Sequence, residues 1–362
     1  MPTTDPRWER PATLGPFDRF ALGLLKDERD LIFVRMMAII TAVMVPLVSI
    51  VFLLPPWGVA AVAIPYLGFV FLSFGGRYGL MLHANGHRPI FKREVAWLRH
   101  YVPFALGPLL GHTPTSFEAH HMTMHHVENN MLGDGSSTLP YRRDHFPHFL
   151  HYFFRFFLFS YLHINRYLWL RGRKRTMVRL MAGELAWLCL VLVAMTINWA
   201  AALLVLVVPM LMMRWLMMAG NWAQHAFVDL RDPDSGWTNS TCLTNTRYNH
   251  KCYNDGYHIV HHLKPALHWS EMAQWYDDHI EEFAERDALV FDGIADNQQI
   301  WFLLMFHRYD KLAQHIVPLV ERTHEERVAW LQTRVREQMG PIPSMLRWET
   351  VEHLRETSRV AL

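Results

Sequence analysis

Residues 36–54 read MMAIITAVMVPLVSIVFLL, and after Pro55-Pro56-Trp57 an apolar run resumes over 58–80 as GVAAVAIPYLGFVFLSFGGRYGL. Each half is close to the roughly 20 residues that a helix needs to span about 30 Å of hydrocarbon. A second block repeats the pattern, with Met181 to Ile197, a turn at Asn198-Trp199, and Ala200 to Ala219. Two such blocks are too long and too uniformly apolar to be hidden as core helices of a soluble protein. The expected fold class is an all-α integral membrane protein, with four transmembrane helices in two hairpins and a cytoplasmic helical cap.

Charge orients the hairpins. Their tips carry Trp57 and Trp199 and no Lys or Arg, whereas the segment from Met81 to Leu180 carries thirteen, among them Arg171, Arg173, Lys174 and Arg175. Positive residues stay on the cytoplasmic side and tryptophan favours interfaces, so both termini and the middle segment are expected in the cytoplasm. Arg77, Glu184 and Arg214 lie toward the cytoplasmic ends of their spans, where a long side chain reaches water. Phe17 to Val34, Tyr101 to Gly111 and Phe149 to Leu170 are expected to lie at the interface, being too short or too often interrupted by charge to cross. The chain therefore divides into a cytoplasmic N-terminal segment with an interfacial helix (1–35), a first hairpin (36–80), a cytoplasmic segment (81–180), a second hairpin (181–219), a further cytoplasmic segment (220–270) and a helical cytoplasmic tail (271–362). Apolar spacing in the tail at Leu312, Ile316, Leu319, Val328, Leu331 and Val335 is helical, with a break at Pro318.

Composition narrows the chemistry. Of 362 residues, 23 are His and 3 are Cys, and no C-x-x-C pair exists, which excludes a disulfide scaffold and a cysteine zinc finger. A net charge of +2 gives no electrostatic case for nucleic acid. The polar, charged opening is not expected to act as a secretory signal.

The histidines cluster where the spans emerge. His83 and His87 form H-x-x-x-H after the second span. His121, His125 and His126 form H-x-x-x-H-H, preceded by His120. His225 follows the fourth span in Asn221-Trp222-Ala223-Gln224-His225, and His258, His261 and His262 form H-x-x-H-H. On a helix, positions i, i+3 and i+4 share a face, so each cluster is expected to aim its imidazoles at one point. His83 and His225 each lie 26 residues after their tip tryptophan, or roughly 39 Å along an unbroken helix, at one height on the cytoplasmic side. Nine imidazoles without thiolate favour Fe, Zn, Cu or Ni over Mg or Ca, and nine ligands divide naturally between two ions. Single His pairs are usually incidental, and the remaining histidines lack this patterning. For a second rank of residues around the metals, the sequence offers Asn221, His120, Glu118, Glu128, Asp229 and Asp255.

This order of boxes, with N-x-x-x-H after the last span, resembles the membrane fatty acid desaturase superfamily over about Phe33 to Glu271. The resemblance implies a non-haem di-iron oxidase, with His83, His87, His121, His125, His126, His225, His258, His261 and His262 at the iron-ligand positions. His120 competes with His121 for one of them. Asn221 stands where some members reach a metal through water. It also implies O2 as co-substrate, electrons from a separate ferredoxin- or cytochrome-type protein with its reductase, a fatty acid or acyl substrate, and a bacterial inner membrane or its equivalent. Members include desaturases, hydroxylases and decarboxylases that form terminal alkenes.

An unactivated methylene has no proton that a general base can remove at neutral pH, so cofactor chemistry is required. Desaturation leads among the expected reactions, ahead of oxidative decarboxylation of a free fatty acid to a terminal alkene and of hydroxylation. Asn129-Asn130 and the basic run Arg171–Arg175 are candidates for steering a carboxylate. The competing classes are a zinc hydrolase of lipids and a histidine-rich metal or haem transporter. The transporter reading asks for polar ligands inside the spans, which are almost wholly apolar here.

Overall fold

The computed structural model describes residues 2–345. His353 and the last part of the expected tail, 346–362, lie outside the described residues. Among the described residues, three helical runs are long and apolar enough to cross a membrane: Glu28–Leu53, Pro56–His87 and Lys174–Gln224. The third is not one helix. Asn198 leaves the helical region (φ −154°, ψ 100°), and its Oδ1 accepts from the Ala201 N–H at 3.1 Å, as a cap does. Its Nδ2 donates to the carbonyls of Phe52 and Leu54 (3.1 and 2.8 Å), at the turn of the first hairpin. The break thus falls where the sequence places a turn. Leu53, Ile64 and Leu72 are more than four-fifths exposed, which suits side chains facing lipid rather than water.

The chain forms two compact units. One comprises the N-terminal residues up to Arg7, Ala119–Met177 and the chain from Trp215 onward; the other comprises Trp8–Glu118 and Val178–Arg214. In the second unit, Gly111 (φ +91°) lies so close to another backbone that an added Cβ would stand 2.2 Å from the Pro209 carbonyl oxygen, so only glycine fits. The expected interfacial helix over 17–34 is divided in this unit. Pro16–Leu24 ends with Leu25 in extended backbone, and a short turn at Glu28–Asp30 leads into the first long run. Asp18, through Arg35 (2.7 Å) and the Gly15 N–H (2.9 Å), holds the start of that helix.

In the first unit, Phe146–Leu170 is a single 25-residue helix. Its aromatic face packs Phe149, Tyr152 and Phe153 against Trp222 and Tyr141. Trp222 is fully buried and its indole N–H donates to the Arg143 carbonyl at 2.9 Å, giving a large apolar contact whose polar atom is satisfied. The fold is not purely α. Cys242–Thr244 pairs in parallel with Val290–Asp292, and Cys242 also bridges Tyr257, one residue before the third box. The expectation of an all-helical cap missed this pair because each strand has only three residues, too few to show a period of two. The tail is helical at Tyr309–Gln314 and His324–Arg336, with Pro318 between them as expected. Leu312, Leu331 and Val335 are fully buried there.

Candidate metal centre

The second box lies on a widened, π-helical stretch, Glu118–His125, continued by a short α turn, His126–Glu128. Such a stretch brings residues five apart onto one line, and His121 Nε2 and His126 Nε2 lie 3.0 Å apart. Asn129 and Asn130 then take consecutive positive φ angles (47° and 58°) and end the helix. His225 ends the helix Val208–Gln224. The free carbonyls of that end are met by side chains: Thr138 Oγ1 donates to His225 O (2.7 Å) and Arg143 Nε to Ala226 O (2.9 Å). The third box forms the short helix His258–Leu263. It is anchored upstream by the strand pair and by the Tyr257 hydroxyl, which donates to the buried Asp5 at 2.6 Å.

These three elements bring seven candidate ligands of the first unit into two groups. The ring nitrogens of His125, His225, His258 and His262 all lie within 4.8 Å of one another, and so do those of His121, His126 and His261. His258 Nε2 stands 3.3 Å from His225 Nε2 and 3.1 Å from His262 Nε2, and His261 Nε2 stands 2.8 Å from His126 Nε2. His83 and His87 belong to the other unit. They stand one turn apart on Gly76–His87, with ring centroids 5.3 Å apart.

The expectation that each box converges on one point is corrected. The second box sends His125 to one group and His121 and His126 to the other; the third sends His258 and His262 to one and His261 to the other. The reason is angular. On the α-helical third box His258 and His262, at i and i+4, share a face and His261 at i+3 is rotated away. On the π-helical second box His121 and His126, at i and i+5, fall on one line and His125 is rotated away. His121 rather than His120 joins the ligand group. His120 Nε2 instead lies 3.0 Å from Ser136 Oγ.

Tautomers follow from the outer nitrogens. His225 Nδ1 is 2.9 Å from both the carbonyl and the side-chain oxygen of Asn239, whose amide nitrogen donates to Asn129 O. His262 Nδ1 is 3.2 Å from Asn129 Oδ1, whose amide nitrogen donates to the Asp234 carbonyl. His125 Nδ1 is 2.6 Å from Asp134 Oδ2. In each case Nδ1 carries the proton and Nε2 presents a lone pair. Burial pushes His225 down to about 3, with His125 adding to the effect, so the imidazole is neutral and able to ligate. His262 is also held well below its usual range, by burial and then by His258. Lone pairs converging at such distances repel unless a cation lies between them. An ion ligated by nitrogen at about 2.0–2.1 Å keeps neighbouring nitrogens about 2.8–3.4 Å apart, which the spacings above match. The donor set fits a pair of nitrogen-bound transition-metal ions.

The other candidates divide. Asn221 Nδ2 donates to Ser136 O (3.1 Å) and Tyr152 OH (2.8 Å), gripping the loop beside His125. Glu128 is buried and takes the Tyr167 hydroxyl (2.7 Å) and Arg171, and Asp229 holds Arg231 and Arg334. Both therefore hold the fold rather than a ligand imidazole. Glu118 is 55% exposed and stands 3.8 Å from Arg179, while Asp255 accepts from Tyr248 and Gln224. Of the residues expected to steer a carboxylate, Asn129, Asn130 and Arg171 each have partners within the protein. Asn130 is fully buried against Thr138, and the other two bond inward. The carboxylate that does brace a candidate ligand is Asp134, which the sequence reading does not reach; nor does it reach Asn239. Burial pushes the Asp134 carboxyl up, but His125 and His120 outweigh it and hold it well below the usual range. Its only sequence signal is a polar Asp between Gly133 and Gly135, nine residues after His125.

No curated protein and no solved structure matches the chain. The family model described as fatty acid desaturase matches residues 55–293, from the first hairpin turn past the second strand of the parallel pair. That span is two thirds of the sequence and holds all nine candidate ligands, and the chain accordingly belongs to the fatty acid desaturase family.

Proposed function

We propose that this protein is a membrane-bound di-iron oxidoreductase that uses O2 to desaturate a fatty acid or fatty acyl chain. The observation that carries the reading is the convergence of seven imidazoles, nitrogen to nitrogen, into two groups in a chain of this family. One ion is assigned to His125, His225, His258 and His262, the other to His121, His126 and His261. On their H-x-x-x-H spacing alone, His83 and His87 are assigned as the remaining ligands. Bound iron supplies the activation of O2 and the removal of hydrogen from an unactivated methylene, which no side chain achieves. The chain's own part is to hold the ligand tautomers through Asp134, Asn239 and Asn129, and to keep the centre dry by burying His125, His225 and His258.

Desaturation consumes one O2, two electrons and two protons, and yields a double bond and two waters. The electrons come from a separate ferredoxin- or cytochrome-type protein and its reductase. The topology that goes with this reading has four crossings, from two hairpins, with termini and boxes in the cytoplasm and the protein in a bacterial inner membrane or its equivalent. It keeps the six-segment division of the chain given by the sequence.

The test is metal analysis of purified protein, followed by product analysis with a saturated fatty acid, O2 and a reducing system. About two irons per chain and an internal double bond with all carbons retained are expected. Stoichiometric zinc in active protein overturns the oxidase reading in favour of a hydrolase. An added oxygen redirects it to hydroxylation, and a terminal alkene one carbon shorter to decarboxylation.

A further inference from the structure

The loop Gly133–Ser136 carries a directional chain of hydrogen bonds toward one ligand. The Ser136 N–H and hydroxyl both donate to Asp134 Oδ1 (2.9 Å each), and His120 Nε2 lies 3.0 Å from the same hydroxyl oxygen. Since that hydroxyl spends its proton on Asp134, it accepts from His120, which therefore carries its proton on Nε2. Asp134 Oδ1 is thus fixed as an acceptor by two donors, one of them backbone. That leaves Oδ2 alone to face His125 Nδ1 at 2.6 Å. Asp134, Ser136 and His125 are all buried, and Asn221 holds the Ser136 carbonyl from outside.

We infer that Asp134 is a positioning residue that locks the tautomer of His125, and that Ser136 and His120 set its orientation. The inference rests on the assignment of His125 as a ligand. It has a consequence that runs against ordinary conservative substitution. In Asp134→Asn, the two Ser136 donors still claim the oxygen on their side. The amide nitrogen must then take the place of Oδ2 and point a donor at His125 Nδ1. His125 can meet a donor there only by giving up the Nδ1 proton, which moves to Nε2 and covers the lone pair that would bind metal. Asp134→Ala removes the brace but leaves either tautomer open. The near-isosteric variant is therefore expected to be the more damaging one for metal binding.

Wild type, Asp134→Ala and Asp134→Asn are purified without metal, titrated with Co(II) anaerobically, and followed by bound-metal analysis and by the visible ligand-field spectrum. Outer partners of metal-bound histidine typically contribute 10–100-fold in affinity. We expect about tenfold weaker binding at one of two sites for Asp134→Ala. For Asp134→Asn we expect about 100-fold, so that bound metal falls from about two per chain toward one. Equal or tighter binding by Asp134→Asn than by Asp134→Ala overturns the lock. A wild type that binds no metal overturns the metal reading instead, so the two failures are distinct. Should Asp134→Asn not fold, ¹⁵N-histidine NMR of the metal-free wild type reads the same point. A proton on His125 Nδ1 supports the lock, and one on Nε2 overturns it.

Discussion

The two histidine groups of the first unit are built from the same boxes but placed in different surroundings. Three of the four imidazoles in the first group, His125, His225 and His258, are buried, against one of three, His261, in the second. The first also lies where loops meet: Asp134, Asn239 and Asn129 each hold an outer nitrogen, and Thr138 and Arg143 close the helix end beneath His225. An imidazole in such a place is already desolvated and oriented before an ion arrives. The half-buried His121 and His126 are nearer to solvent, as suits a metal position that must exchange ligands during turnover. On the proposed reading, the burial difference gives retention of metal to one group and access to the other.

The largest expected effect separates ligands from bystanders. His225→Ala removes a fully buried ligand and is expected to lower turnover by at least about 10³-fold, on the scale of losing a group essential to the reacting centre. His148→Ala, at a half-buried histidine that accepts from the Arg142 N–H, should leave turnover within about twofold, as expected away from the site. A working His225→Ala enzyme would break the assignment of the buried group.

A smaller effect tests the burial difference itself. Challenge with a strong chelator is expected to remove metal in two phases whose rates differ by about tenfold, of the order that the outer hydrogen bonds contribute to metal affinity. The slow phase should be the one lost in Asp134→Asn. A single phase for both ions would mean that burial does not distinguish the groups.

The smallest effect concerns a carboxylate that sits close to the second box without bracing it. Glu128→Gln weakens the buried pair with Arg171 and Tyr167, and is expected to lower stability by about 1–3 kcal/mol. Thermal melting reads that loss, while bound metal stays at the wild-type value. Loss of metal in this variant would move Glu128 into the group of residues that hold the ligands.

Much of this was legible in the chain alone. The long apolar runs, the break at Asn198 and the box histidines announce themselves through length, turn chemistry and spacing, which are local properties. The partners of those histidines do not. Asp134 and Asn239 stand nine and fourteen residues from the imidazoles they hold, and positive-φ asparagines and glycine-flanked loops decide which way they face. Glu128 and Asp229, at least as near in sequence to a box, turn toward arginines instead. The three-residue strands beside the third box are equally silent, because they pair across 48 residues and have no room for a pattern.

The sequence by itself determined the family, the candidate ligands and the apolar runs, since hydropathy and short periodic spacing suffice for each. Only the tertiary structure decided how the boxes divide into two groups, why His121 rather than His120 joins them, and which nitrogen each imidazole presents. Those outcomes depend on the angle at which a helix meets its neighbour and on where a hydrogen-bond donor ends. Neither is fixed until distant segments pack together.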